Sequence, residues 1–298
     1  MFSQFKSLMD SGSIVTDGAW GTQLQQRGLA NGDCPDAWNL SHAELVEEVP
    51  RAYVEAGSQV VLTNTFRANR LALDSYDLAS RVTEINRAGA EISLRAAGTR
   101  ALVFGSIGPS GKMLLTGEVS EAELQEAFEE QAAALAATAV AGLVIETMSD
   151  LKEAKIALSA AKGTGLPVVV CMVFDSGRNL DRTLMGDTPV SCARELTAAG
   201  ADVIGANCGQ GIESYVNVCR QLRAGTELPI WIKANAGVPH IEQGQVVYQT
   251  TAEDFARYVP ELVAAGAQWV GGCCGTSPEF IRQLRASLQT KPMVPKEL

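Results

Sequence analysis

Three of the seven cysteines stand where metal chemistry is possible. Cys273 and Cys274 are adjacent in Gly271-Gly272-Cys273-Cys274-Gly275-Thr276, after the apolar run Trp269-Val270, which reads as a strand end opening into a loop. A disulfide between neighbours would have to bridge Cα atoms about 3.8 Å apart, whereas bridged cysteines usually sit about 5.5 Å apart. Shared ligation of one soft metal is the better use. Asn207-Cys208-Gly209, after Val203-Ile204, repeats the setting and supplies a third thiol. Three thiolates leave one position of a tetrahedral zinc open. A thiol entering there is deprotonated outright, whereas a free thiol with a pKa near ~8.5 is only a few per cent thiolate at about pH 7. Such a zinc unit carries about one negative charge, so an incoming sulfur keeps more electron density than beside neutral imidazoles. That favours alkyl transfer; hydrolysis would call for mixed histidine and carboxylate ligation beside a general base.

Other polar residues recur at the ends of apolar runs: Asp17-Gly18, Thr63-Asn64-Thr65, Glu146-Thr147 and Asn235. Asp17 and Glu146 either hold a substrate ammonium through charge-assisted hydrogen bonds or simply cap a helix or pair with a lysine, and the backbone N–H groups of Gly18-Ala19-Trp20-Gly21 suit a carboxylate. Together they describe an amino acid. Asn64, Asn207 and Asn235 either touch that substrate or order loops. Trp20 and Trp38 offer either a cation–π face for a sulfonium or quaternary ammonium, or a hydrophobic lid. His42 reads as a first-turn helix residue and His240 as a loop residue; neither is required as ligand or base. Cys34, Cys171, Cys192 and Cys219 read as buried structural residues.

The elements that must position these groups are eight apolar runs of strand length: Ile14-Val15, Val60 to Leu62, Ala101 to Phe104, Leu143 to Ile145, Pro167 to Val173, Val203-Ile204, Ile230 to Ile232 and Trp269-Val270. Helical stretches separate them, with start signals at Ser41 to Glu44, Ser120 to Glu123 and Ser277-Pro278-Glu279. Ala56-Gly57, Ala199-Gly200 and Ala265-Gly266 each read as a helix end closed by glycine. Seven residues beyond each glycine stand Asn64, Asn207 and Cys273. Equal offsets put these three at equal height at the C-terminal ends of their strands. Eight such units of about 37 residues predict a single (β/α)8 TIM barrel with the zinc site at its C-terminal face. The rival, an open doubly wound sheet, would carry a glycine-rich dinucleotide fingerprint, and none is present.

With 24 basic and 34 acidic residues the net charge is −10, and no basic run occurs, which argues against nucleic acid or an anionic membrane as partner. The longest apolar region, Ala132 to Ile145, is broken by Thr138 and Gly142 and reads as helix then strand. Free thiols and the lack of a signal-peptide core predict a cytoplasmic protein. One domain over residues 1–298 is expected, with 289–298 a tail. Nothing in the sequence fixes the oligomeric state.

Asp17-Gly18-Ala19-Trp20-Gly21-Thr22, Thr63-Asn64-Thr65-Phe66, Ile145-Glu146-Thr147, Asn207-Cys208, Ala234-Asn235-Ala236-Gly237 and Gly271 to Thr276 resemble the homocysteine S-methyltransferases from about residue 12 to 288. That family includes the betaine- and S-methylmethionine-dependent enzymes and the homocysteine module of cobalamin-dependent methionine synthase; the Asn-Ala-Gly stretch is most similar to the last. The resemblance implies Cys208, Cys273 and Cys274 as zinc ligands, Asp17 and Glu146 on the homocysteine amino group, and methionine as product. A barrel filling all 298 residues is expected to leave no room for folate and corrinoid modules. The methyl group would then come from a small cationic donor or from a separate methyl-carrying protein. A zinc hydrolase, a zinc store and a thiol redox sensor are the rival readings.

Overall fold

The computed structural model describes residues 2–10, 12–242 and 245–289. Its strands are β1 (Ile14–Val15), β2 (Val60–Leu62), β3 (Leu102–Ile107), β4 (Gly142–Met148), β5 (Val168–Met172), β6 (Val203–Gly211), β7 (Ile230–Asn235), β8 (His240–Glu242), β9 (Gln245–Val247) and β10 (Ala267–Gly272). Eight of them form one parallel sheet in the order β1-β10-β7-β6-β5-β4-β3-β2. A parallel bridge from Thr16 to Val60 joins its two outer strands, so the ring closes and exposes no long edge. This is the (β/α)8 barrel, and each of the eight apolar runs contributes a strand to it.

Side-chain alternation along the strands separates two apolar layers. Ile14, Val60, Leu62, Phe104, Val144, Val169, Val203, Trp231 and Trp269 form one buried cluster within the ring, and residues of the other parity pack against the helices. The helix Phe2–Met9 seals the N-terminal end: the Phe5 ring lies 6.2 Å from Phe104 and 6.1 Å from Trp269. Gly57, Gly200 and Gly266 have φ of 107°, 94° and 109°, the left-handed conformation that ends a helix at little cost only for glycine.

Ser120 and Glu123 form the expected capping box, and Pro278 opens the helix Pro278–Gln289. Ser41 does not cap. It ends a short helix, Trp38–Ser41, where its hydroxyl donates to the Ala37 carbonyl one turn back, and the next helix, Ala43–Ala56, starts at His42 without a side-chain cap. His240 belongs to the β8–β9 hairpin, not to a plain loop. Residues 290–298 of the expected tail lie outside the described residues, and Gln289 ends a helix. Ala132 to Ile145 divides between the helix Glu121–Ala136 and β4, and no described helix is long and apolar enough to cross a membrane.

Candidate active site

β6 and β10 both border β7, which brings Cys208 to Cys273 and Cys274 across 65 residues of sequence at the C-terminal mouth. The three sulfurs lie within 4.8 Å of one another, and the Cys208 and Cys274 sulfurs are 4.0 Å apart. Tetrahedral zinc with Zn–S bonds of about 2.3 Å spaces its sulfurs about 3.8 Å apart, so the cluster fits one such ion with little movement. Among the described residues no other group of cysteine, histidine and carboxylate side chains gathers in this way. Cys34, Cys171, Cys192 and Cys219 are buried and free, as expected.

The backbone that presents the thiols is constrained. Cys208 has φ 64° and Gly209 φ 60°, and the β6–β7 register breaks between Cys208 and Gly211. A cysteine in the left-handed region costs energy that the surroundings must offset. Tyr215 donates to the Cys208 carbonyl at 2.8 Å and Asn235 donates to the Gly209 carbonyl at 2.8 Å. On the other side, Cys273 N–H donates to the Ala234 carbonyl, and Thr276 Oγ1 donates to the Cys273 carbonyl. Gly275 has φ 81°, and a Cβ there would lie 2.2 Å from the Tyr248 ring. The thiols share charge: S–H groups of Cys273 and Cys274 donated to Cys208 hold it well below the ordinary thiol range. In return Cys273 and Cys274 are both raised, chiefly by Cys208.

Beside the thiols lies a cavity of 250 Å³ lined in part by Gly18, Trp20, Asn64, Phe66, Arg67 and Glu146. Glu146, 8% exposed, accepts from Ser106 Oγ at 2.6 Å. Thr63 Oγ1 receives the Ser106 N–H and Thr65 Oγ1 donates to the Ser106 carbonyl, so the ends of β2, β3 and β4 hold this carboxyl together. Burial pushes Glu146 up to about 7, against the downward pull of Lys233 and the Ser106 bond.

Several expected contacts resolve differently. Asp17 is 0% exposed and faces the barrel wall: Oδ1 accepts from Lys233 Nζ at 2.8 Å, and Oδ2 from Leu62 N–H at 2.8 Å and Trp20 Nε1 at 3.0 Å. It does not line the cavity. Ala19 N–H, assigned to a substrate carboxylate, donates to Thr276 Oγ1 at 3.1 Å. Asn207 braces Thr147, accepting its N–H and donating to its hydroxyl, both at 2.7 Å, and reaches Cys273 Sγ at 3.8 Å. Thr147 has φ 64°, exceptional for a β-branched residue, and Asn207 is the brace. Asn64 lines the cavity, but its amide donates to Pro35 and Asn39. Trp38 is buried and stacked on His42, 4.3 Å between centroids; Trp20 is the tryptophan at the cavity. After β3, Gly108-Pro109-Ser110-Gly111 turns the chain, with Ser110 N–H on Glu153 Oε1 at 2.7 Å.

Lys233 and Asp36 were missed. Both are buried, and both line the cavity. Lys233 follows Ile230-Trp231-Ile232 with the parity of Trp231, which points it into the barrel; a lysine on the buried face of an apolar strand is rare enough to mark a site.

The family whose description is homocysteine S-methyltransferase matches residues 14–288 by its sequence model. Two curated relatives, the methionine synthases of Mycobacterium tuberculosis and Mycobacterium leprae, are each 29% identical over 294 residues, covering 92% of this chain and 24% of their own length. The chain therefore spans about a quarter of the length of these relatives. The metallated form of the homocysteine methyltransferase MmuM from Escherichia coli has the same fold, with a TM-score of 0.79 and 24% identity over 94% of this chain and 98% of that one.

Proposed function

The chain belongs to the homocysteine S-methyltransferase family, and from the geometry of its mouth we propose that it transfers a methyl group to the sulfur of homocysteine, giving methionine. Cys208, Cys273 and Cys274 are the proposed zinc ligands. The observation that carries this reading is the convergence of three thiols, and no fourth, within 4.8 Å beside an open cavity among the described residues. A fourth protein thiolate would suit storage; a vacant ligand position suits a substrate. Bound there, zinc supplies a Lewis acid at which a thiol is held deprotonated near neutral pH.

The chain's own residues orient the rest of the substrate. Glu146 is assigned the ammonium, with Ser106 fixing its rotamer. The carboxylate is assigned to the turn Gly18 to Gly21, less the Ala19 N–H that Thr276 occupies. Asp17, Asn207 and Asn235 act through other residues: Asp17 on Lys233 and Trp20, Asn207 on Thr147, and Asn235 on the strand that carries Cys208. Displacement needs sulfur, methyl carbon and leaving group in line at near-attack distance, roughly 3–3.5 Å from sulfur to carbon. Because an ordinary thioether or tertiary amine demands an anionic leaving group, the donor should be cationic and depart neutral. Trp20 and Phe66 at the cavity wall offer aromatic faces to such an onium. Thiol ligands stay reduced in the cytoplasm, where we place the protein.

A second reading is favoured by the methionine synthase relatives, of which this chain matches only a quarter or so: the methyl group arrives on a corrinoid carried by another protein module. One experiment separates the two. Zinc-loaded protein is supplied with homocysteine and either a panel of onium donors, S-methylmethionine and betaine included, or a methylated corrinoid protein, and methionine is measured. Formation from an onium without corrinoid supports the small-donor reading. Turnover with the corrinoid protein alone contradicts it, and no methionine from either refutes the proposed activity.

A further inference from the structure

Lys233 is a buried cation at the mouth that the proposed reaction does not use. It projects from β7 between β6 and β10, 3% exposed, with Nζ 2.8 Å from Asp17 Oδ1 and 5.6 Å from the Trp231 ring centroid, and it lines the cavity. Burial works against its charge, but Asp17, Glu146 and Cys273 more than offset that and hold it above the ordinary lysine range. Around Lys233 the wall therefore contains two carboxylates, Asp17 and Glu146, and one ammonium, all provided by the protein.

We propose that Lys233 is the specificity-determining residue of this end of the site: by cancelling the charge of Asp17 inside the wall, it leaves Glu146, of the two carboxylates around it, to answer a substrate ammonium. The inference rests on the homocysteine reading above. Its physical basis is that a unit charge several ångströms away in a buried site changes the affinity for an ion by about an order of magnitude. Without Lys233 the wall would favour any thiol bearing an amine and reject any thiol bearing a lone carboxylate. With Lys233 and no Asp17 the preference would reverse. The pair thus tunes the pocket toward a zwitterion, in which both charges are present.

The test compares two thiols on zinc-loaded protein by calorimetric titration: homocysteine, and mercaptobutanoate, which lacks the amine. The quantity read is the ratio of their affinities, homocysteine over mercaptobutanoate, in wild type and three variants. Lys233→Met should raise the ratio about tenfold, Asp17→Asn should lower it about tenfold, and the double variant should return to within about threefold of wild type. Both thiols share the sulfur and the metal, so a variant that merely loosened the barrel would weaken them alike and leave the ratio unmoved. An unchanged ratio in Asp17→Asn, or a double variant that fails to restore it, overturns the inference. Those two variants decide the matter even if Lys233→Met does not fold: the double variant buries neither charge of the pair, and in Asp17→Asn the lysine keeps Glu146 as a nearby anion. If neither thiol binds wild-type protein, the homocysteine reading itself has failed, and the role of Lys233 falls with it.

Discussion

The two ends of one barrel are built from the same strands on opposite terms. At the N-terminal end β3, β7 and β10 close over Phe104, Trp231 and Trp269, with Phe5 inserted beneath and the two tryptophan rings 5.1 Å apart. At the C-terminal end β1, β4, β6 and β7 deliver or border Asp17, Glu146, Cys208 and Lys233, with Cys273 and Cys274 just beyond β10. β7 carries both kinds of residue on one face, Trp231 below and Lys233 above. Apolar burial at the lower end drives folding. The upper end buries charges and holds Cys208 and Thr147 at positive φ, which costs stability. The barrel can hold a costly mouth because its other end is packed apolar surface.

Exchanging what each end contributes should break that division most sharply at the thiols. Cys208→Ala, Cys273→Ala and Cys274→Ala should each abolish zinc retention, measured by metal analysis, and lower methyl transfer by at least about a thousandfold. Secondary structure should persist, because a chain of this size folds on its apolar core. Retention of stoichiometric zinc by all three would remove the site. Next in size is the opposite change: Trp269→Ala at the lower end should cost about 3–5 kcal/mol in denaturant unfolding, while the zinc affinity of the folded fraction stays as in wild type. Loss of zinc binding by folded Trp269→Ala protein would show that the two ends are not independent.

A third expectation concerns Asp36, 2% exposed at the cavity, whose carboxyl burial pushes up to about 7 although Arg67 N–H donates to it at 3.1 Å. The folded protein binds this proton more tightly than the unfolded chain. Its contribution is therefore fully present below the unfolded value near ~4 and is lost as pH rises through about 7, a loss of up to about 4 kcal/mol. Asp36→Asn, which can still accept the Arg67 bond, should flatten that part of the stability profile, and an identical slope in wild type and variant would contradict the assignment. The smallest effect is expected for Glu146→Gln. It should weaken homocysteine about tenfold more than it weakens mercaptobutanoate, since the amide keeps the shape and loses the charge. Equal losses would take Glu146 out of ammonium recognition.

What the sequence made legible was local in origin. β-branched runs mark strands whatever lies across the ring, and Gly57, Gly200 and Gly266 mark helix ends because few other residues accept φ near 100°. The thiol trio was legible because adjacent cysteines have few other uses, and because the equal offsets from those glycines set Asn207, next to Cys208, level with Cys273. What escaped depends on partners far along the chain. Asp17 reads either as a substrate contact or as half of a lysine pair until Lys233, 216 residues away, is placed against it. Asn207 reads equally as a substrate contact or a loop brace until Thr147, 60 residues away, takes both ends of its amide. The left-handed backbone of Thr147 and Cys208 has no sequence signature either, since neither residue type favours it and tertiary bonds impose it. Ser41 failed as a cap for a nearer reason: a carbonyl one turn back competed for its hydroxyl.

The central claim is that Cys208, Cys273 and Cys274 form a three-thiolate zinc site with a position reserved for the homocysteine sulfur. X-ray absorption at the zinc edge of protein loaded with one equivalent of metal tests it directly, by counting sulfur neighbours before and after homocysteine is added. The account predicts three sulfurs at about 2.3 Å with a lighter fourth neighbour, changing to four sulfurs with homocysteine, and a return to three in its presence when any one of the cysteines is replaced by alanine and enough zinc is supplied to force occupancy. A sulfur count that homocysteine leaves unchanged, or a starting shell dominated by nitrogen and oxygen, would contradict it.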